Sequence, residues 1–208
     1  RGAGGTFSAG GDINAMKERI DKGIRGTRPV CRVLGETFLR LRNVKKPVIA
    51  CVEGAAAGAG LALALACDFQ IIDEATKCLF AFVNLGFVPD SGATYFVTRA
   101  IGTTRATDLF MSGRMFTGRE AADWGLFTTA VPSTELEGTL EKYIKKYVNG
   151  PTTAYANIKT MINRAQYSSY ADGMQSEIEL QGMCETTEDF KEAVFAFLEK
   201  RKPNFQGR

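Results

Sequence analysis

The sequence contains no histidine among its 208 residues. Histidine is the usual proton carrier of serine-type triads and the commonest side-chain ligand of catalytic zinc. Within these residues, its absence excludes both kinds of chemistry as they are usually built. We therefore expect no metal site and no cofactor, and any catalysis has to use carboxylates, thiols, hydroxyls or backbone groups.

An excess of one charge and a long apolar run are also lacking. Twenty-six Lys and Arg face 23 Asp and Glu, and the resulting net charge of +3 is too small and too dispersed for a nucleic-acid surface. The least polar stretch, residues 54–67, has 14 residues, fewer than the roughly 20 that a membrane-spanning helix needs. We therefore expect neither nucleic acid nor a membrane as a partner.

Several familiar motifs are missing as well. The chain has no phosphate-loop, dinucleotide-binding or G-x-S-x-G signature. Its five cysteines are an odd number without C-x-x-C spacing, which favours reduced core residues of an intracellular protein. No signal peptide is visible, but the chain begins at Arg1 inside a glycine-rich stretch, so we expect an upstream segment to be missing.

What is present indicates one folded α/β domain followed by helices. Apolar spacing and turn residues predict strands within residues 47–54, 68–73 and 78–82 and a loop over 54–58. They predict helices over 13–20, 30–43, 59–67, 91–101, 105–111, 118–124, 136–148, 152–164, 171–184 and 187–202. Asp12 is expected to be the N-cap of the first helix, and Thr186 with Asp189 to form a capping box at the start of the last one. We therefore expect an α/β core over residues 1–132 and a helical part over 133–208.

Two glycine-rich segments each open a predicted helix: FSAGGD at 7–12 and GAAAGAG at 54–60. The first turn of a helix presents unsatisfied backbone N–H groups, which can hold an anion. Small residues also simply allow helices to pack closely. The residues alone leave these two interpretations open.

Five motifs in register resemble the enoyl-CoA hydratase/isomerase family, the crotonases: FSAGGD, PVIACVEGAAAGAGLALALACDFQII, LGFVPDSGATYFVTRAIG, GREAADWGLFTTAVP and AFLEKRKPNF. The resemblance runs nearly end to end, without the family's opening strands and helix. It implies a crotonase (ClpP-like) spiral of ββα units, a helical C-terminal trimerisation region, an acyl-CoA thioester substrate and assembly into trimers or hexamers. A bacterial cytoplasm and a mitochondrial matrix both fit such an enzyme.

The resemblance also places an oxyanion hole, in which two backbone N–H groups bind the thioester oxygen. By motif register these belong to Ala9 and Ala59, with Gly10, Gly11 and Asp12 beside the substrate. The two glutamates that the family's hydratases use correspond to Ala62 and Phe82, and neither residue can activate water. We therefore expect no hydration, and Phe82 and Leu85 are expected to line the acyl pocket.

The carboxylate left in the matching stretch is Asp90, where isomerase branches of the family carry an acidic residue that moves a proton between C2 and C4. Pro-Asp-Ser-Gly is also an ordinary turn, and Asp90 is equally suited to cap a helix starting at Ser91. As a base it needs a raised pKa, which the apolar residues Phe80, Phe82, Leu85 and Phe87 are placed to provide. With both hydratase glutamates absent, we favour the base.

The resemblance implies an enoyl-CoA isomerase, and most specifically a Δ3,Δ2-enoyl-CoA isomerase, which moves the double bond of a 3-enoyl thioester into conjugation. Two alternatives stay open: a ring-opening 1,2-epoxyphenylacetyl-CoA isomerase-like enzyme, and a non-catalytic CoA-ester binder. At the C-terminus, Lys200 and Lys202 match a motif that suggests contact with CoA phosphates, or else they form a solvated basic helix end. Asp12, Glu53, Asp68 and Asp73 are interpreted as structural, and Asn84 as a possible pocket residue.

Overall fold

The computed structural model describes residues 1–148, 150–166 and 170–204. Its strands are β1 (Ile49–Val52), β2 (Ala55–Ala57), β3 (Phe69–Asp73), β4 (Lys77–Leu79), β5 (Met115–Thr117) and β6 (Thr129–Val131). Its helices are α1 (Ile13–Asp21), α2 (Arg28–Asn43), α3 (Ala59–Ala66), α4 (Ala93–Ser112), α5 (Gly118–Asp123), α6 (Ser133–Val148), α7 (Thr152–Gln166), α8 (Tyr170–Cys184) and α9 (Glu188–Leu198). None of the described helices is both long and apolar enough to cross a membrane.

The first four strands alternate between two small sheets. One sheet has the order β1-β3-β6 and is parallel, and the other has the order β2-β4-β5, with β2 and β4 parallel and β4 and β5 antiparallel. The pair β1 and β2 precedes α3, and the pair β3 and β4 precedes α4. This repetition of two strands and a helix is the ββα spiral that the resemblance implied.

The core lies between the sheets and α3, whose sequence AGLALALA is apolar on all sides and is almost entirely buried. A buried ion-pair group fastens α7 to this core. Lys159 donates to Asp68 at 2.7 Å and Arg42 lies 3.5 Å from the same carboxylate, which also accepts from the Val48 amide at 2.8 Å. Asp68 is therefore structural, as predicted.

Several predicted elements differ from the structure. The predicted loop 54–58 contains β2, which has no β-branched residue and is fixed by pairing with β4. The predicted strand 78–82 ends at Leu79, and β5 and β6 were missed because three-residue strands show too little periodicity. The predicted helices 91–101 and 105–111 join as α4, with a kink at Gly102.

The start of α9 lies one residue later than predicted. Thr187 is the N-cap and accepts from the Phe190 amide, whereas the Thr186 hydroxyl donates to the Met183 carbonyl at the end of α8. The helix ends at Leu198 rather than at 202, and Phe197, predicted on the packed face, is 60% exposed. The last described strand ends at Val131, and the division at residues 132 and 133 stays a prediction.

Candidate functional site

The N-terminal glycine-rich segment lies directly beside the start of α3. Ser8 forms a parallel bridge with Ala56: the Ser8 amide donates to Ala55 O at 3.1 Å, and the Ala57 amide donates to Ser8 O at 2.9 Å. This short ladder places Ala9 next to the residues that lead into Ala59. The two segments that the sequence separates by about fifty residues therefore form one feature.

Two glycines make this approach possible. At Gly60, a Cβ atom would lie 2.3 Å from Ser8 Oγ and 2.4 Å from Ser8 Cβ. Gly10 has a φ of +84°, and a Cβ there would lie 2.8 Å from the Ala57 carbonyl oxygen. The close-packing interpretation of the small residues is therefore confirmed, and it does not exclude the anion site.

The amides of Ala9 and Ala59 have no hydrogen-bond acceptor among the described residues. Their neighbours are satisfied: the Gly10 amide donates to Ser8 Oγ at 3.3 Å, and the Gly58 amide donates to Leu79 O at 2.9 Å. Ala59 is the first residue of α3, where the helix dipole favours negative charge. An unsatisfied donor at a helix start, together with a second one on the neighbouring segment, can bind a developing oxyanion.

The segment that follows β4 connects this feature to Asp90. Phe80, Phe82 and Phe87 are buried, and Leu85 is half-buried. The Phe82 ring lies about 3.9 Å from the position of a Cβ on Gly58, so it lies at the start of α3. Apolar surroundings near the predicted oxyanion donors are what an acyl chain requires.

Asp90 itself is buried, with only 7% of its surface exposed. Its Oδ1 accepts a hydrogen bond from Ser91 Oγ at 2.8 Å, and its Oδ2 accepts from the Cys31 thiol at 3.4 Å and lies 3.5 Å from Gln181 Nε2. Burial raises the pKa of Asp90, and the hydrogen bonds from Ser91 and Cys31 oppose this rise. A raised pKa makes this carboxylate a stronger base than an exposed aspartate.

The cap interpretation of Asp90 is wrong. Helix α4 begins at Ala93 with Gly92 as its N-cap, and no side chain caps it. Ser91, between them, has a φ of +58°, an uncommon conformation for a residue other than glycine. Such strain typically costs about 1–3 kcal/mol and clusters at functional sites.

Other predicted residues have simpler surroundings. Asp12 caps α1 by accepting from the Asn14 and Ala15 amides at 2.9 and 3.1 Å, as predicted. The Asn84 side chain is held at the end of α4, where its amide donates to the Gly113 carbonyl at 3.2 Å. Of the two residues predicted to match the hydratase glutamates, Ala62 is fully buried and Phe82 is 8% exposed, and neither side chain carries a carboxylate. Gly11 packs against the end of Met16.

The basic C-terminal segment is exposed. Lys200 and Lys202 both lie at the surface just beyond α9, and Phe205, the last residue of the matching motif, lies outside the described residues. Between the lysines, Arg201 makes a two-pronged contact with Glu192 at 2.6 and 2.9 Å and lowers the pKa of Glu192 to about 2. Within residues 200–202, this contact leaves Lys200 and Lys202 as the cations available to a ligand.

Sequence reasoning missed Cys31 and Gln181. Cys31 was assigned to the core with the other cysteines, and none of the five forms a disulfide. Nothing in the local sequence links α2 or α8 to Asp90, so only their packing shows the contact. Two cavities of about 430 and 530 Å³ lie around Tyr147, and neither is lined by the predicted site residues. Over the described ranges, no cluster of three or more Cys, Asp or Glu side chains is arranged for a metal.

Comparison with known proteins gives a consistent result. A family model described as enoyl-CoA hydratase/isomerase matches residues 1–208. The trans-2-decenoyl-[acyl-carrier-protein] isomerase of Streptococcus mutans is 34% identical and aligns with 99% of this chain and 78% of its own length. The 1,2-epoxyphenylacetyl-CoA isomerase of Escherichia coli is also 34% identical, over 100% of this chain and 79% of its own.

The solved structures agree on the fold. A crystal structure of an enoyl-CoA hydratase from Mycobacterium avium subsp. paratuberculosis superimposes with a TM-score of 0.88 and 32% identity, and the match covers 99% of this chain and 78% of that one. Isomerases and a hydratase are thus similar to this chain at comparable identity. The chain adopts the crotonase fold and belongs to the enoyl-CoA hydratase/isomerase family.

Proposed function

We propose that this protein is an acyl-CoA isomerase, and specifically a Δ3,Δ2-enoyl-CoA isomerase. The observation that carries the proposal is the environment of Asp90: a buried carboxylate of raised pKa that caps no helix and is held by neutral hydrogen-bond donors. Among the described residues this carboxylate has no ion-pair partner, and a perturbed carboxylate of that kind is a good candidate for proton transfer.

In this proposal one base moves one proton. Ionised Asp90 removes a proton from C2 of the 3-enoyl thioester, and the electron pair delocalises onto the thioester oxygen as a dienolate. The Ala9 and Ala59 amides donate to that oxygen, and they bind it more strongly as its charge grows. Asp90 then returns its proton to C4, which leaves the conjugated 2-enoyl thioester and a regenerated carboxylate.

Hydration of the 2-enoyl product is not part of the proposal. It needs carboxylates that hold and activate water, and the two matching positions are Ala62 and Phe82. Both are buried apolar residues here, so a water molecule at either would find no base. The product is therefore expected to be released unchanged.

Substrate binding is assigned to the surrounding residues. The backbone of Gly10, Gly11 and Asp12 borders the thioester, while Phe82 and Leu85 contact the acyl chain. Lys200 and Lys202 approach the CoA phosphates from the surface. No cofactor is required, because the proton is the only group transferred, and assembly as a trimer or hexamer stays a prediction.

A second candidate rests on the Escherichia coli relative. The stretch Ala81–Gly92 has the pattern A-F-x-x-x-G-x-x-P-D-x-G that the sequence shares with ring-opening isomerases, so 1,2-epoxyphenylacetyl-CoA is the second substrate to test. The Streptococcus mutans relative acts on a thioester of acyl carrier protein, which makes the carrier a further variable. A non-catalytic CoA-ester binder is the remaining alternative.

The experiment incubates the purified protein with 3-hexenoyl-CoA and, separately, with 2-hexenoyl-CoA, and follows absorbance of the conjugated thioester. Conjugation from the 3-enoyl substrate, no loss of the 2-enoyl substrate, and an inactive Asp90→Asn variant are expected. Turnover of 1,2-epoxyphenylacetyl-CoA alone would favour the second candidate. If no thioester reacts but one binds, the protein is a CoA-ester binder and the isomerase proposal is wrong.

A further inference from the structure

The carboxylate of Asp90 is enclosed by two helices that are distant from it in the sequence. Cys31, on α2, and Gln181, on α8, both reach Oδ2, and they are 4% and 2% exposed. The two helices pack against each other, and Glu185, the residue after α8, accepts hydrogen bonds from the Gly26 and Thr27 amides at 2.7 and 2.8 Å, just before α2. Their relative position, and hence the position of both side chains, is therefore fixed.

The orientation of the Gln181 amide follows from its other contact. The Val88 amide lies 3.2 Å from Gln181 Oε1, and a backbone N–H can only donate. The oxygen of the side chain must therefore face Val88, which turns the NH₂ group towards Oδ2 of Asp90 at 3.5 Å. Gln181 thus contacts both ends of the Val88–Asp90 segment.

Cys31 contributes in a different way. Its thiol is a weak donor to Oδ2, while Oδ1 is already occupied by the Ser91 hydroxyl. In the part of the chain that the structure describes, the polar groups that contact the Asp90 carboxylate are Ser91 from its own segment, Cys31 from α2 and Gln181 from α8. Cys184 of α8 contacts the Val88 amide instead. Among the described residues, no charged side chain contributes to the pKa shift of Asp90.

We propose that Cys31 and Gln181 are positioning residues of the isomerisation, which hold Oδ2 of Asp90 and thereby orient the base towards the acyl chain. The inference rests on the proposed function, because it assigns these residues a role only if Asp90 is the base. It makes helix α8, in the C-terminal helical region, a necessary part of the active site. The donors also set the proton affinity of the base: a stronger donor at residue 31 favours the ionised form, and loss of the donor disfavours it.

The test measures kcat and kcat/KM against pH with 3-hexenoyl-CoA. Cys31→Ala should move the acidic limb of kcat/KM to higher pH, and Cys31→Ser, with its stronger hydroxyl donor, should move it to lower pH. Gln181→Met should lower kcat about tenfold with little change in KM, since the Val88–Asp90 segment loses its hydrogen bonds to residue 181. Cys67→Ala, which removes a buried thiol elsewhere, should leave the pH profile unchanged.

The outcomes separate the two proposals. If the wild-type protein isomerises the substrate and Asp90→Asn does not, but both Cys31 variants keep the wild-type limb and Gln181→Met keeps its kcat, this inference is overturned and the proposed function stands. Shifts of the acidic limb in the same direction in both Cys31 variants also overturn it, because a change in donor strength should move the two limbs in opposite directions. If Gln181→Met fails to fold, Gln181→Glu keeps the acceptor for Val88 and should move the limb to higher pH; an unmoved limb counts against the inference. Absence of isomerisation by the wild-type protein overturns both.

Discussion

Gly60→Ala is expected to damage the proposed oxyanion hole without touching either of its donors. The new Cβ would lie 2.3 and 2.4 Å from Ser8 Oγ and Cβ, whereas ordinary contacts begin near 3.4 Å, so Ser8 has to move by about 1 Å. Ser8 is bridged to β2 and precedes Ala9, so the Ala9 amide moves with it. A misplacement of about 1 Å can cost 10²-fold in rate, comparable to losing one oxyanion donor at about 2.7–4 kcal/mol.

The stability cost should be smaller than the loss of activity. Alanine gains about 0.5–1 kcal/mol over glycine within a helix, while overpacking typically costs about 1–3 kcal/mol, so a net destabilisation of about 1–2 kcal/mol is expected. Urea unfolding measures this value, and kcat for 3-hexenoyl-CoA measures the activity. The matched control is Gly138→Ala in α6, where a Cβ has no neighbour within 4 Å, and which should be slightly stabilising and fully active.

A rescue variant tests the stated cause. Ser8→Gly removes both atoms that clash, so the double variant Ser8→Gly/Gly60→Ala should recover most of the activity lost by Gly60→Ala alone. It should not recover all of it, because the Gly10 amide loses its 3.3 Å hydrogen bond to Ser8 Oγ. Full activity in Gly60→Ala, or a double variant as inactive as the single one, would refute the argument that this close approach positions Ala9.

Three further predictions concern other parts of the molecule. Asp90→Asn should lower kcat by about 10²- to 10⁴-fold yet raise the melting temperature at neutral pH. Because burial raises the pKa of Asp90, the folded state holds the proton of this carboxyl group more tightly than the unfolded chain does. Wild-type stability therefore falls as pH rises from the usual aspartate range through the raised pKa. The difference in melting temperature between Asp90→Asn and the wild type should widen over that pH window. An equal gap at all pH values would contradict this. Lys159→Met should cost about 3–5 kcal/mol in urea unfolding, since it leaves the Asp68 carboxylate, which is only 15% exposed, with weaker compensation; a loss below about 1 kcal/mol would show that the pair contributes little. Replacing Lys200 and Lys202 by alanine should raise KM a few-fold and weaken its salt dependence at constant kcat, and an unchanged KM would remove them from the CoA site.

Local sequence patterns were sufficient where an element is long or carries a distinctive cap. The α1 start at Asp12, the amphipathic α2 and the apolar α3 follow from capping chemistry and helical periodicity, which are properties of a few neighbouring residues. The short strands β2, β5 and β6 could not be predicted in this way. Three residues contain barely one period of alternation, and only their partners in the sheet make them strands.

The sequence by itself determined the family, the fold it implies and the residues available for chemistry. Because histidine is absent, and because the resemblance matches alanine and phenylalanine to the hydratase glutamates, Asp90 is the carboxylate to examine. Only the tertiary structure decided what surrounds that carboxylate. It showed that Asp90 is not a helix cap and that Cys31 and Gln181 reach its Oδ2 from α2 and α8. The physical reason is that capping and periodicity act over a few residues, whereas burial, and the pKa that follows from it, depend on chain segments that meet only when the protein folds.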